Sequence, residues 1–296
     1  MSESVESESH ETGEDYYAEV PAEQREGLRR FRERYPIRTA EIGGVEWEYR
    51  VAGDGGAPLV WLPGALMRAD SVWPQAAHFA RQHKVIVPSY PPLTTMADLS
   101  EGLAGLLAAE GVTSASVVGG SYGGMLAQVF VRQHGERVGR LVLSHTLPPD
   151  PRRGMKLAVA APLFSLMPEA AVLRMYWNRM ADLIADEEPE SAWLSAYLTE
   201  LTRDRLSKTD VIALYRRAAD FDGQRFAPED LAEWPGETLL LMADDDPVTP
   251  EPVRERMIEL YPRAGVHVFS GTGHAAALRR PEEYFGAMES FLAPAR

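Results

Sequence analysis

Three residues in this chain have the types and the order that nucleophilic catalysis requires. Ser121 lies among glycines, Asp246 ends a run of aspartates, and His274 follows a second glycine-rich stretch. A serine hydroxyl is a weak nucleophile until a histidine takes its proton and a carboxylate orients that histidine. The order serine, acid, histidine, with steps of 125 residues (121 to 246) and 28 residues (246 to 274), therefore predicts acyl-transfer chemistry.

The serine occupies the centre of a G-x-S-x-G pattern, Gly119 to Gly123. An apolar strand pattern precedes it and a helical pattern follows it, so the serine lies at a tight strand-to-helix turn. Small residues two places before and after it let strand and helix approach, and the turn presents the hydroxyl. A plain glycine-rich loop is the alternative. The G-x-G-x-x-G and G-x-x-x-x-G-K-[ST] patterns are absent, which disfavours nucleotide binding.

Of the three consecutive aspartates, Asp246 is the predicted acid. It precedes Pro247, which favours an extended loop conformation. Asp244 and Asp245 are predicted to face solvent or to cap the turn, with Asp245 as the alternative acid. Three carboxylates also suit a metal ion, but no histidine or further carboxylate cluster lies nearby in the sequence, so no metal site is predicted.

Of the seven histidines, only His274 has both the required order and a loop position after a strand. His145 ends another strand, where it could line the pocket. The oxyanion would be held by the backbone N–H of Tyr122 and, after the apolar run PLVWLPG, by that of Ala65. The alternative is that Pro63, Gly64 and Ala65 form an ordinary turn at the end of a strand.

The elements that must position these residues alternate between strands and helices, which predicts right-handed crossovers and a mainly parallel sheet. No strand pattern occurs from about 151 to 233, where helical segments are interrupted at Pro162, Pro168 and Pro189. The predicted organisation comprises four segments: an acidic tail (1–20), the first part of an α/β core (21–149), a helical cap (150–233) and the second part of the core (234–296).

Composition narrows the class of protein. The chain has 296 residues, is 45% hydrophobic and carries a formal net charge of −14, which argues against nucleic-acid binding. Seven acidic residues and no basic ones fall within residues 1–19, so this tail is predicted to be disordered and solubilising.

No apolar run is long enough for a membrane span, and no signal peptide is evident. The absence of cysteine predicts a cytoplasmic protein without disulfides or thiol chemistry.

With these motifs assembled, residues 37–294 resemble the α/β-hydrolase fold superfamily. The motifs that carry the resemblance are PGA (63–65), GGSYGG (119–124), ADDDPVTP (243–250) and GTGH (271–274). Many members have His-Gly where this chain has Pro63-Gly64, so the hydrogen bonding of that loop is expected to differ. A narrower likeness, carried by LVWLPGALMRADSVW, VIVPSYPP, GGSYGGMLAQVF and MIELYPRA, is to the maspardin-like branch, whose namesake is regarded as a binding protein with an incomplete triad.

These patterns together predict a serine hydrolase for an ester, thioester or related acyl bond of a small, partly hydrophobic molecule, with no metal or organic cofactor. The cap would roof the pocket with some of its large apolar residues, although most must pack the helices together: Met155, Leu157, Phe164, Leu166, Met167, Met175, Tyr176, Trp177, Met180, Trp193 and Tyr197. The alternatives are a non-hydrolytic binding protein, lyase or cyclase, and a prolyl-aminopeptidase-type peptidase using Glu187, Glu188 or Glu190.

Overall fold

The computed structural model describes residues 16–184 and 192–293, and within them eight strands form a single sheet. The strands are Arg38–Ile42 (β1), Val45–Ala52 (β2), Leu59–Leu62 (β3), Val85–Pro88 (β4), Ala115–Gly120 (β5), Val138–Ser144 (β6), Glu237–Ala243 (β7) and Gly265–Phe269 (β8). Their order is β1-β2-β4-β3-β5-β6-β7-β8, and β2 pairs antiparallel with both β1 and β4. All other pairs are parallel, which confirms the predicted α/β architecture.

Helices cover both faces of the sheet. They are Ala22–Arg34 (α1), Trp73–Phe79 (α2), Met96–Ala109 (α3), Tyr122–Gln133 (α4), Pro151–Leu166 (α5), Glu169–Ile184 (α6), Ala192–Glu200 (α7), Lys208–Asp222 (α8), Glu251–Leu260 (α9), Ala276–Arg279 (α10) and Pro281–Leu292 (α11). Successive strand residues point to opposite faces, so Val60 and Leu62 join the cluster under α3 and α4, whereas Leu59 and Trp61 join the one under α2 and α11. Burial on both faces explains the continuous apolar runs in the sequence.

The segment between β6 and β7 contains α5 to α8, and no strand occurs in its described residues. α5 continues through Pro162, where the sequence predicted a break. A proline removes one helical hydrogen bond, and a partly exposed helix can leave the freed carbonyl to solvent. The chain does turn at Pro168, after which α6 begins at Glu169. Pro189 lies outside the described residues.

A buried carboxylate fastens this helical insert to the sheet. Asp70, which is 1% exposed, accepts hydrogen bonds from Arg32 of α1 (2.9 Å), Arg50 of β2 (2.5 Å) and Arg205 of the insert (2.8 Å). Burial opposes ionisation, but the three guanidinium groups outweigh it and lower the pKa of Asp70. Three separate elements thus converge on one anion.

The end of the predicted acidic tail is packed against the protein. Val20 is buried in the core, and the hydroxyl of Tyr17 donates a hydrogen bond to Glu200 of α7. These residues follow most of the tail's acidic groups and provide apolar surface that the earlier part lacks. Residues 1–15 lie outside the described part of the chain. Across the helices that are described, none is long and apolar enough to cross a membrane.

Candidate active site

Ser121 lies at the junction of β5 and α4 with a left-handed backbone, φ 50° and ψ −119°. Such a conformation costs a non-glycine residue about 1–3 kcal/mol and persists only where neighbours hold it. Here the Ser121 N–H donates to the carbonyl of Ser144 (2.9 Å). The Ser121 carbonyl accepts from the Gly124 N–H (3.0 Å) and from the hydroxyl of Thr146 (2.7 Å). The serine is therefore fixed by its backbone, and its side chain makes none of these contacts.

The glycines around the serine are needed for space. A Cβ atom on Gly119 would clash with the backbone of Gly123, and one on Gly123 would clash with the carbonyl oxygen of Leu62. The first contact brings helix and strand together, and the second lets α4 lie against β3. The steric explanation drawn from the sequence therefore applies to both positions.

Asp246 and His274 meet at the same edge of the sheet. Asp246 is 2% exposed, and its Oδ2 lies 2.8 Å from His274 Nδ1. Its carboxylate also accepts from the Thr249 hydroxyl (2.7 Å) and the Val248 N–H (2.8 Å). Burial by itself would raise the pKa of Asp246, but His274 and these two donors outweigh burial and lower the pKa to about 2. An ionised Asp246 only accepts, so His274 Nδ1 carries a proton and Nε2 is left free.

The other two aspartates do more than face solvent. Asp245 accepts the backbone N–H groups of Thr272 (3.1 Å) and Gly273 (2.9 Å), next to His274. Asp244 accepts from Ser270 (2.7 Å) and from the Gly271 N–H. Both carboxylates are exposed, as expected, yet together they hold the loop that carries the histidine. This holding role was not predicted, because it depends on the loop after β8 lying beside the end of β7.

The Pro63–Ala65 loop lies directly above the serine. A Cβ atom built on Gly64 would be 3.9 Å from the Ser121 Cβ. The Tyr90 hydroxyl donates to the Pro63 carbonyl (2.8 Å), and the Tyr176 hydroxyl of the insert donates to the Ala65 carbonyl (2.9 Å). Tyr122 is the first residue of α4, so its N–H has no acceptor within the helix. Both predicted oxyanion donors therefore belong to backbone that is held in place near Ser121.

A buried arginine links the insert to this backbone. Arg217 of α8 is 0% exposed and donates to the Tyr122 hydroxyl (2.6 Å). It also donates to the carbonyls of Pro91 (2.6 Å) and Leu93 (3.1 Å). Its fourth contact is the sulfur of Met67 at 3.4 Å, two residues beyond Ala65. One side chain thus contacts the segments on both sides of the predicted oxyanion site.

Replacing Arg217 by methionine should lower the free energy of unfolding by about 3 kcal/mol, because it leaves the buried Pro91 carbonyl, the partly buried Leu93 carbonyl and the Tyr122 hydroxyl without their hydrogen-bond donor. Arg216→Met is the matched control, since Arg216 is the adjacent, exposed residue of α8. That change should stay within about 0.5 kcal/mol of the parent protein. Urea denaturation of the three proteins measures both effects. Equal stabilities for the two variants would contradict the role given to Arg217.

A cavity of about 250 Å³ opens between the sheet edge and the insert. Ser121, His274, Ala65 and His145 all line it. Of the eleven insert residues predicted as a possible roof, Met180 alone lines the cavity within the described ranges, where Leu183 and Leu194 join it. Several of the others face solvent or pack the helices together, and helical periodicity alone could not separate these faces. Glu187, Glu188 and Glu190 lie outside the described residues.

Two hydrolases are similar to this chain in sequence. The chain is 27% identical over 208 residues to a 2-hydroxymuconate semialdehyde hydrolase of Pseudomonas putida, covering 64% of this chain and 66%, just under two thirds, of that protein. It is 26% identical over 279 residues to a 2-hydroxy-6-oxononadienedioate/2-hydroxy-6-oxononatrienedioate hydrolase of Paraburkholderia xenovorans, covering 85% and 92% of the two chains.

Among solved structures, a thermophilic esterase from Thermogutta terrifontis superposes with a TM-score of 0.70 at 20% identity, covering 86% of this chain and 97% of that one. At this identity the likeness concerns the fold alone. The sequence model of the Alpha/beta hydrolase family matches residues 59–287, from the first strand of the parallel part to the last helix. The chain therefore belongs to the alpha/beta hydrolase family.

Proposed function

We propose that this protein is a serine hydrolase that cleaves an ester, thioester or related acyl bond through a covalent acyl-enzyme. The observation that carries the proposal is the hydrogen bond between the buried carboxylate of Asp246 and Nδ1 of His274, which lines the same cavity as Ser121. Hydrolases among the relatives support the general class.

In this mechanism Ser121 Oγ attacks the substrate carbonyl while His274 Nε2 takes the hydroxyl proton. This attack forms the bond between Ser121 Oγ and the acyl carbon. His274 then gives the proton to the leaving group as the bond between the acyl carbon and the leaving group breaks, which leaves the acyl-enzyme. Water then attacks the acyl carbon while His274 takes one of its protons. The bond between Ser121 Oγ and the acyl carbon breaks as His274 returns that proton to Ser121, and the acid is released. Asp246 stays ionised throughout, because its depressed pKa of about 2 favours the anion that pairs with a protonated His274.

The negative charge on the attacked oxygen would be met by the N–H groups of Ala65 and Tyr122. Donors that are already in position need no reorganisation when the charge develops. They therefore lower the free energy of the transition state more than mobile donors would. Arg217 is a positioning residue here, since it holds Tyr122 and the segment after Ala65 without lining the cavity.

The substrate would be small and partly apolar. The cavity holds about 250 Å³, and many of its lining groups are apolar, including Trp61, Leu66 and, from the insert, Met180. We assign the helices of residues 150–233 as a cap that closes this cavity, inserted into a core formed by residues 21–149 and 234–296. Cap residues would then select the acyl or alkyl group.

A second candidate comes from the relatives' names. A semialdehyde named as the substrate of a hydrolase has no ester group, so its hydrolysis must break a carbon–carbon bond. The same nucleophile, base and oxyanion donors could serve such a reaction. The peptidase, lyase or cyclase and maspardin-like alternatives remain predictions from sequence. A pure binding protein would have no use for a hydrogen-bonded Asp246–His274 pair whose histidine lines the same cavity as Ser121.

Labelling with a fluorophosphonate probe and turnover of a panel of substrates test the proposal. We expect stoichiometric phosphonylation of Ser121, identified by peptide mass spectrometry, and hydrolysis of short p-nitrophenyl esters. Aminoacyl amides are expected to react poorly, and a 2-hydroxy-6-oxo-dienoate tests carbon–carbon cleavage. Absence of both labelling and ester turnover would overturn the esterase mechanism.

A further inference from the structure

His145, the residue directly after β6, has an unusual backbone. Its φ is 48°, and within residues 16–184 and 192–293 only Met67 and Ser121 share a positive φ among non-glycine residues. Ser121 is the proposed nucleophile, and Met67 follows the predicted oxyanion loop. Backbone strain of this kind clusters at functional sites, where surrounding structure maintains it. His145 thus shares its strained backbone with two residues of the proposed site.

A short chain of hydrogen bonds favours one tautomer of His145. The Tyr284 hydroxyl donates to Ser144 Oγ (3.1 Å), and Ser144 Oγ lies 2.9 Å from His145 Nδ1. Since Ser144 accepts from Tyr284, its own proton is available for Nδ1. When Ser144 donates to Nδ1, the imidazole carries its own proton on Nε2, on the other side of the ring, where it acts as a donor.

That donor is buried and unpaired. His145 is 5% exposed and lines the cavity, yet Nε2 finds no hydrogen-bond partner in the described part of the chain. Thr272, which is 0% exposed and lines the same cavity, has a hydroxyl in the same condition. Gln75 also lines this cavity, and its Oε1 is likewise buried without a partner. Buried polar groups almost always have partners, so three such groups on one cavity point to a ligand that supplies them.

The charges around His145 limit what that ligand can be. Burial, followed by the nearby His274, lowers the pKa of His145 to about 4, so the ring is neutral near pH 7. The rings of His145 and His274 have centroids 5.8 Å apart. The other ionisable groups that act on His145 are Asp246 and Asp245, both anions. A neutral donor beside two carboxylates suits an uncharged oxygen better than another anion.

We propose that His145 is a specificity-determining residue, whose Nε2–H, together with the Thr272 hydroxyl, binds an uncharged acceptor oxygen of the substrate, such as a ketone, in addition to the scissile carbonyl. This inference rests on the proposed hydrolase function and narrows its substrate class to oxygen-substituted acyl groups. Ser144 and Tyr284 act through His145 and are positioning residues.

Matched esters test the proposal on the wild-type protein. The pairs are p-nitrophenyl pentanoate with 4-oxopentanoate, and hexanoate with 5-oxohexanoate, and the mono-p-nitrophenyl ester of glutaric acid supplies an anionic arm. We expect a roughly 10- to 100-fold higher kcat/KM for at least one keto ester than for its plain partner. Hydrolysis of the plain esters without any keto preference would overturn this inference alone. No hydrolysis of any ester would instead count against the proposed function.

Substitutions at His145 then test whether this residue causes the preference for keto esters. His145→Phe removes the donor and should bring the ratio of the two kcat/KM values to about one. His145→Asn retains an N–H donor in a residue that tolerates positive φ, and it should keep part of the preference. If the phenylalanine variant does not fold, Ser144→Ala keeps His145 and removes the group that favours its Nε2–H tautomer, so the ratio should still fall. An unchanged ratio in folded variants, or a preference for the anionic ester, would overturn the assignment.

Discussion

Replacing Ser121 by alanine is expected to abolish ester hydrolysis while the protein stays folded. The change removes the only atom that forms the acyl-enzyme, but leaves the cavity, His274 and the oxyanion donors in place. Loss of the nucleophile of a serine protease lowers kcat by about 10⁶, and a similar fall is expected here. The measurement is the initial rate on p-nitrophenyl butyrate, with circular dichroism to verify folding.

The matched control is Ser114→Ala, which changes an exposed serine just before β5, seven positions upstream. It should retain the parental rate and react with a fluorophosphonate, whereas the Ser121 variant should do neither. Alanine at position 121 cannot form an acyl-enzyme. Retention of more than a few percent of the parental rate by this variant would therefore exclude the proposed mechanism.

The second large effect is expected from Asp246→Asn. Asparagine keeps the shape of the side chain but can offer an amide N–H where His274 Nδ1 needs an acceptor, so the histidine favours the wrong tautomer. The corresponding change in a serine protease lowers kcat by about 10⁴, and we expect a loss of that order. The variant also gives up the carboxylate whose pKa is lowered to about 2 by His274, Thr249 and Val248. kcat on an activated ester is the measurement.

Asp245→Asn is the control for this experiment. The Asp245 Oδ1 atom accepts the N–H groups of Thr272 and Gly273, and the amide oxygen of asparagine can accept the same two bonds. Because the side chain is exposed, loss of its charge contributes little, and kcat should change by no more than a few-fold. If Asp245→Asn is the variant that loses most of its kcat, the carboxylate that orients His274 is Asp245 and not Asp246. If both variants are active, another group orients His274.

The sequence alone was sufficient to predict the mainly parallel sheet and the positions of Ser121, Asp246 and His274 along it. Alternation of apolar runs with helical patterns is a local property, and parallel strands place their carboxyl ends at one edge. Residues that directly follow those strands therefore lie near one another at that edge, and no knowledge of other contacts is needed to predict this. The need for glycine near Ser121 could also be predicted from sequence, because it is steric and arises from the tight turn that holds the serine.

Other features were decided only by tertiary structure. Arg217 and Arg216 are neighbours in one helical pattern, and only packing of α8 against the core buries the first and exposes the second. His145 was recognised as a strand-end residue that could line the pocket, but its strained backbone and its link through Ser144 to Tyr284 depend on residues 140 positions apart. The roof likewise depends on how each helix rotates onto its neighbours. Local periodicity specifies that an element forms, whereas contacts between distant segments decide which of its side chains face the cavity.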